Sequence, residues 1–148
     1  MAKGDQPLLS VVEDAVPMGL RERLWLCMRD IEGVAQDVNV SGKTKSGATY
    51  GFQGTSAAAI LAAAKRVFVR HRVGFFASTE EYENRDRMAR VQIRVTFFSP
   101  DNDEKIEGVW VGEGADGGDM GVRKAYTSAV KSCLRHSLGI VVGADEDE

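Results

Sequence analysis

The segment from Arg90 to Phe97 alternates strictly between apolar and polar residues, and this pattern restricts the fold more than any other feature of the sequence. Because successive side chains of a β-strand point to opposite sides, one face of this strand is predicted to be buried and the other to be cationic. Such a half-buried strand is typical of an antiparallel sheet that is covered on one face. The alternating residues are Val91, Ile93, Val95 and Phe97 on the apolar side and Arg90, Gln92, Arg94 and Thr96 on the polar side.

Strand patterns on both sides of this segment supply partners for the sheet. The predicted strands cover residues 38–40, 48–52, 73–79, 88–98 and 105–111. Turn-forming residues occupy positions 99–103, and a basic, glycine-bounded loop that contains Lys43 and Lys45 joins the first two strands. We therefore predict one hairpin followed by a three-stranded antiparallel meander.

Three segments carry apolar residues at helical spacing and have helix-start or helix-stop residues at their ends. The predicted helices run from Pro17 to about Val34, from a cap at Thr55 or Ser56 to about Arg72, and from Val122 to Gly139. An antiparallel sheet packed with three helices is an α+β fold. The predicted order is helix, hairpin, helix, three strands, helix.

The length of the chain, 148 residues, predicts a single compact domain. We expect a flexible N-terminal arm over residues 1–16, the domain over residues 17–143 and an acidic tail over residues 144–148. The net charge is −3, but the tail holds four of the 22 acidic residues and leaves 19 basic against 18 acidic residues elsewhere. A cationic surface is compatible with this composition if the basic residues gather on one face.

Four residues that often bind metals or cofactors are predicted to have structural roles. Cys27 and Cys133 lie far apart in apolar patterns without a CxxC motif, so we expect reduced core cysteines. His71 and His136 come late in predicted helices, where capping or surface roles are common. We expect no cofactor and no metal. Since neither a membrane span nor a signal peptide is recognisable, we expect a cytoplasmic protein without a membrane partner.

The last predicted helix carries a cationic stripe formed by Lys124, Lys131 and Arg135. Their spacings of seven and four residues place them within about 40° of one another around the helix. Thr127 and Ser128 lie beside the stripe, and no acidic residue occurs between positions 122 and 143. A basic helix face can be merely solvated, but this one also has the composition of a surface that receives phosphates.

The C-terminal third of the chain contains the motifs Gly114-Ala115-Asp116-Gly117-Gly118-Asp119, Lys124-Ala125-Tyr126-Thr127, Lys131, Leu134-Arg135, Leu138-Gly139-Ile140 and Gly143-Ala144-Asp145. Together they closely resemble the signature of the ERF (essential recombination function) family of phage annealing proteins. Two upstream segments, Tyr50-Gly51-Phe52 and His71-Arg72-Val73-Gly74, extend the resemblance to about Leu20.

The resemblance implies a ring-forming core that binds single-stranded DNA and anneals complementary strands in recombination and repair, without catalysis or ATP. It implies that Lys131 and Arg135 contact DNA, as does a similar helix in the eukaryotic ring-forming annealing protein. The implied partners are single-stranded DNA, the annealing duplex intermediate, further copies in a ring or filament, and an exonuclease or host single-strand binding protein. The implied location is the cytoplasm of a bacterium or phage-infected host.

The cationic segments and the resemblance together predict the path of DNA. We expect a groove floored by Arg90 and Arg94 and edged by Lys131 and Arg135. Lys124 and Thr127 are expected to be further DNA contacts. Lys43 and Lys45 are expected to form a second, outer contact. The resemblance breaks at Thr55-Ser56, where the eukaryotic relatives are expected to carry a basic residue.

Three other functions remain open from the sequence. Residues 112–117 read GEGADG, a GxGxxG motif between a strand and a helix, which also occurs in dinucleotide-binding enzymes. Asp101, Asp103 and Glu104 are candidate carboxylates of a metal-dependent nuclease. An oligomer with a purely structural role would share the same fold.

Overall fold

The computed structural model describes residues 18–43, 46–116 and 120–142, and these form three helices and five strands. The elements are α1 (Leu20–Asp30), β1 (Val38–Lys43), β2 (Thr49–Gly54), α2 (Ala57–His71), β3 (Gly74–Arg85), β4 (Met88–Phe98), β5 (Lys105–Ala115) and α3 (Gly121–Leu138). Their order confirms the predicted α+β fold. The predicted N-terminal arm, the acidic tail and Lys45 lie outside the described residues.

The strands form two antiparallel groups, as predicted. β1 pairs with β2 in a hairpin, and β4 is the central strand of the β3-β4-β5 meander. β3 is longer than predicted because its charged second half pairs with the first half of β4 as far as Arg85 and Met88. A two-residue turn joins the two strands, and both its residues have positive φ, 50° at Asp86 and 67° at Arg87. This backbone conformation is typical of a tight hairpin turn.

The meander is covered on one face only. Val91, Ile93 and Val95 of β4 are fully buried, whereas the polar residues between them are partly or fully exposed. At one end, Phe97 packs with Phe68 of α2 and Phe75 of β3, with ring centroids 5.7–5.9 Å apart. The helices therefore lie on the apolar face, and the opposite face of the meander is its open face.

Two glycines of β5 allow α3 to approach the sheet closely. A Cβ atom on Gly112 would lie 2.1 Å from the carbonyl oxygen of Ala125, and one on Gly114 would lie 2.6 Å from the Ala125 nitrogen. Both glycines are paired with β4, opposite Val91 and Ala89. β5 thus continues to Ala115 instead of ending at residue 111, and these glycines of the GxGxxG motif serve strand–helix packing rather than a phosphate-binding loop.

Helix α1 is shorter than predicted and is fixed to the domain by charged contacts. It ends at Asp30, because Ile31 is already extended and Val34 forms a parallel bridge with Val142. Asp30 lies 2.7 Å from the Nε2 atom of His71. Hydrogen bonds from Arg29 and His71 to Asp30, with the one from Arg29 the stronger cause, lower the pKa of the carboxylate to about 2.

Candidate nucleic-acid interface

The cationic stripe lies on the side of α3 that faces away from the core. Ala125, Ala129 and Cys133 are fully buried against the sheet and the other helices. Lys124 and Arg135 are exposed, and Lys131 is half-buried. Because α3 is an 18-residue helix capped at Gly139 with φ of 62°, it holds these side chains at fixed spacing.

The three members of the stripe differ in their partners. Lys124 forms an ion pair with Asp116 and donates to the carbonyl oxygen of Ala115 at 3.4 Å. Lys131 and Arg135 form no ion pair with any of the described residues. These two charges are thus available to an external anion.

A groove runs between α3 and the connection from β2 to α2. This α2–α3 groove has a volume of about 550 Å³. Its described lining residues are Gly54, Thr55, Ser56, Ala57, Met120, Arg123, Lys124, Thr127, Ser128 and Lys131. The structure therefore brings together Lys124, Thr127 and Lys131, three of the residues predicted to contact DNA.

Arg123 also lines the groove, although the sequence analysis did not select it. It precedes Thr127 and Lys131 by four and eight residues, so the three residues lie on one side of the helix. Its guanidinium contacts only the sulfur of Met120, at 3.9 Å, among the described residues. The repeated spacing of four was a signal in the sequence that could have identified it.

Asp37 positions the opposite wall of the groove. Its two carboxylate oxygens accept from the Ser56 backbone N–H at 2.7 Å and from the Ser56 hydroxyl at 2.6 Å. The Ser56 oxygen in turn accepts from the backbone N–H of Ala59 at 3.1 Å and caps α2. The hydrogen bonds from Ser56 hold the pKa of the Asp37 carboxylate below its ordinary value, with a smaller contribution from the charge of Lys131.

Arg90 and Arg94 do not belong to this groove. They occupy the open face of the meander, whereas α3 packs over Gly112, which pairs with Val91 on the other face. The prediction that these two arginines form the floor of a groove beside α3 is therefore wrong within one chain. The alternation that makes one face of β4 cationic also directs that face away from the helix that covers the apolar one.

The open-face arginines are also accompanied by acids from the neighbouring strands. Arg94 forms ion pairs with Glu80 of β3 and Glu107 of β5, the second at 3.5 Å. Arg90 is aligned with Glu83 on one side and Glu113 on the other. Lys43, the expected outer contact, is the last residue of β1 and lies opposite Thr49 in the register.

Two of the three candidate nuclease carboxylates, Asp101 and Glu104, have structural partners. Asp101, one of the candidate nuclease carboxylates, pairs with Arg72 and with Arg23, the latter at 2.9 Å, and these contacts lower its pKa to about 2. In the described ranges, no group of three or more His, Cys, Asp or Glu residues is arranged to hold a metal ion.

Both cysteines and the three helices lie among the described residues. Cys27 and Cys133 are buried free thiols, as predicted, and burial is the main cause that raises the pKa of Cys27 to about 11. None of the helices that the structure describes is both long enough and apolar enough to cross a membrane.

No protein-family model matches this chain, and no curated protein matches it at a significant level. The resemblance to ERF-type annealing proteins stays a prediction from the sequence motifs of α3 and its flanking segments.

Proposed function

We propose that this protein binds single-stranded DNA along the α2–α3 groove and promotes the annealing of complementary strands. The observation that carries the proposal is a pair of cations, Lys131 and Arg135, one turn apart on α3 and without an ion pair among the described residues. Thr127 and Ser128 add hydroxyl groups beside them. Cations neutralise phosphates and release counterions, which supplies affinity for any sequence.

The arrangement suits annealing better than tight storage of a strand. An annealing protein must hold phosphates and leave base edges free for a second strand, so it depends on cations more than on aromatic platforms. The described lining residues of the groove include no aromatic side chain, and Phe68, Phe75 and Phe97 pack against one another. We assign the protein no chemical step and no requirement for ATP.

We also propose that several copies act together in a ring or a filament. One groove spans only a few nucleotides, so a longer strand requires several grooves in succession. β3 and β5 are the outer strands of the meander, and their outer edges form no ladder with another strand of the described chain. Such edges can pair with a neighbouring subunit. We further propose that an exonuclease or a host single-strand binding protein in the cytoplasm transfers single-stranded DNA to this assembly.

The proposal is tested with a fluorescent dT oligonucleotide and the unmodified protein. We expect saturable binding, with log affinity falling linearly with log salt at about 0.7 per phosphate contact. The protein should accelerate the annealing of two complementary strands even when EDTA is present and nucleotide is absent. Failure to bind the oligonucleotide at low salt contradicts the DNA function, and a strict monomer in sedimentation, with and without DNA, contradicts the assembly.

A further inference from the structure

We infer that the first turn of α2 is a seat for one phosphodiester group of the bound strand. The seat consists of the backbone N–H groups of Ala57 and Ala58 and the hydroxyl of Thr55, and Lys131 faces it from α3. The inference rests on the proposed function and specifies how the second wall of the groove takes part in it. The ligand is a singly charged phosphate diester.

The start of α2 has donors that the protein does not use. The helix has 15 residues, and its capping residue Ser56 satisfies the N–H of Ala59. The Ser56 N–H donates to Asp37, whereas the N–H groups of Ala57 and Ala58 donate to no acceptor among the described residues. Free N–H groups at the positive end of a helix attract anions.

Thr55 provides an independent observation at the same place. It is only 4% exposed, and its hydroxyl is the one buried side-chain oxygen or nitrogen without a hydrogen-bond partner in the part of the chain that is described. An unpaired buried hydroxyl destabilises a fold because it loses its hydrogen bonds to water. Because Thr55 lines the α2–α3 groove, an anion bound there would supply the missing partner.

The opposite wall completes the coordination of a phosphate. Thr127 and Lys131 line the same groove from α3, so a phosphate between the walls meets backbone donors on one side and a cation on the other. Lys131 has no ion pair with the described residues that would compete for this role. Charged donors bind phosphate more strongly than neutral ones.

Asp37 determines which phosphate is accepted. Its carboxylate is hydrogen-bonded to Ser56, next to the free N–H groups, and these bonds keep its pKa below the ordinary value. The carboxylate is therefore ionised at neutral pH and repels a doubly charged phosphate monoester more than a singly charged diester. The seat thus favours the interior of a strand over a phosphorylated end.

Two substitutions remove donors from the seat, and each has a matched control. Ala57→Pro deletes one N–H at the first helical position, where proline is well tolerated, and the ψ of 151° at Ser56 suits a following proline. Ala57→Gly keeps the N–H. Thr55→Val deletes the hydroxyl, and Thr55→Ser keeps it. We expect Ala57→Pro and Thr55→Val each to weaken dT binding by about tenfold, while both controls stay near the parent.

A second measurement isolates the seat from DNA binding. Dimethyl phosphate, a monoanionic diester, should raise the melting temperature of the parent above that in chloride at equal ionic strength. Ala57→Pro and Thr55→Val should abolish this increase. If both bind dT like their controls while Lys131→Ala is defective, the seat is wrong and the proposed function stands. If the parent binds no DNA, the proposed function is wrong and the melting experiment alone tests the seat. If dimethyl phosphate then does not raise the melting temperature of the parent, the seat is wrong as well.

Discussion

The open face of the meander and the cationic stripe of α3 both present regularly spaced cations, but the acids around these cations are arranged differently in the two regions. Arg94 on the open face has two carboxylate partners, Glu80 and Glu107. Lys131 and Arg135 on α3 have no ion-pair partner among the described residues. The number of cations on a face is therefore a poor guide to an anion-binding site, and the acids that surround them decide.

The difference follows from the geometry of the two elements. A central strand has neighbours on both sides at about 5 Å, so acids from β3 and β5 are brought directly beside the arginines of β4. An exposed helix face has neighbours mainly on its own helix, at i+3 and i+4. Since α3 contains no acidic residue, its exposed charges have no acidic neighbour on the helix itself, and Lys124 pairs with Asp116 outside the helix.

The largest effect is expected from Gly112→Ala, which tests whether α3 covers the face opposite the arginines. A Cβ atom 2.1 Å from the Ala125 oxygen forces the helix away from the sheet, at a cost of about 2–4 kcal/mol. We expect the melting temperature to fall by roughly 5–15 °C. The control is Val111→Ala on the open face, where the side chain is 40% exposed. Equal losses in the two variants would contradict the assignment of the faces.

The second effect compares the two cationic regions directly. Lys131→Ala with Arg135→Ala should lower dT affinity roughly 10- to 100-fold at low salt and reduce the salt slope by about 0.7 per residue. Annealing should fall with it, and the melting temperature should stay close to the parent because both residues lie opposite the core. The measurement is fluorescence anisotropy across a salt series together with a melting curve.

The matched control carries Arg90→Ala and Arg94→Ala on the open face. We expect a change in dT affinity of less than about threefold, because these arginines are already accompanied by acids. If this control loses more affinity than the α3 variant, the strand follows the sheet, and the proposed interface on α3 is wrong.

A smaller effect is expected from removing the acidic residues Asp145 to Glu148. This tail is the only run of four acids in the sequence, and it would compete with DNA for the uncompensated cations of α3. Truncation should tighten dT binding a few-fold at about 50 mM salt and have little effect near 200 mM, where screening is stronger. Unchanged affinity at low salt, or loss of folding, would refute the prediction.

The smallest effect is expected from breaking the ion pair between Glu80 and Arg94. Hydrogen bonds from Gln92 and Arg94 lower the pKa of Glu80 in the folded protein. The ionised carboxylate therefore stabilises the fold fully above the pKa of Glu80 in the unfolded chain, and this stabilisation disappears as the pH falls through the lower pKa of the folded protein. Glu80→Gln should therefore lower the melting temperature slightly at pH 7. The difference from the parent should shrink below about pH 4.5, the ordinary pKa range of Glu. A difference that grows at acidic pH would argue against the pairing.

Several features of the fold could be predicted because they depend on local sequence periods. The alternation in β4 predicted which of its side chains are buried, and Val91, Ile93 and Val95 are all fully buried. The boundaries that failed depend on pairing with distant residues. The charged end of β3 has little strand preference of its own and is extended by β4, and α1 stops where the chain turns to bridge Val34 with Val142.

The candidate site was predicted only in part for the same reason. The stripe of Lys124, Lys131 and Arg135 could be read from spacing within one helix. The groove could not, because Thr55 and Lys131 are 76 positions apart and meet only when α2 and α3 pack. The ion pair between Lys124 and Asp116 could likewise not be predicted from the sequence.

The sequence by itself determined the order of the elements, the buried face of β4 and the cationic stripe, since these follow from periods of two and about 3.6 residues along the chain. Only the tertiary structure decided that the arginines of β4 and the stripe of α3 lie on opposite sides of one sheet. It also decided which cations keep their charge unpaired. The physical reason is that the partner of a charged side chain is set by long-range packing, which no local period encodes.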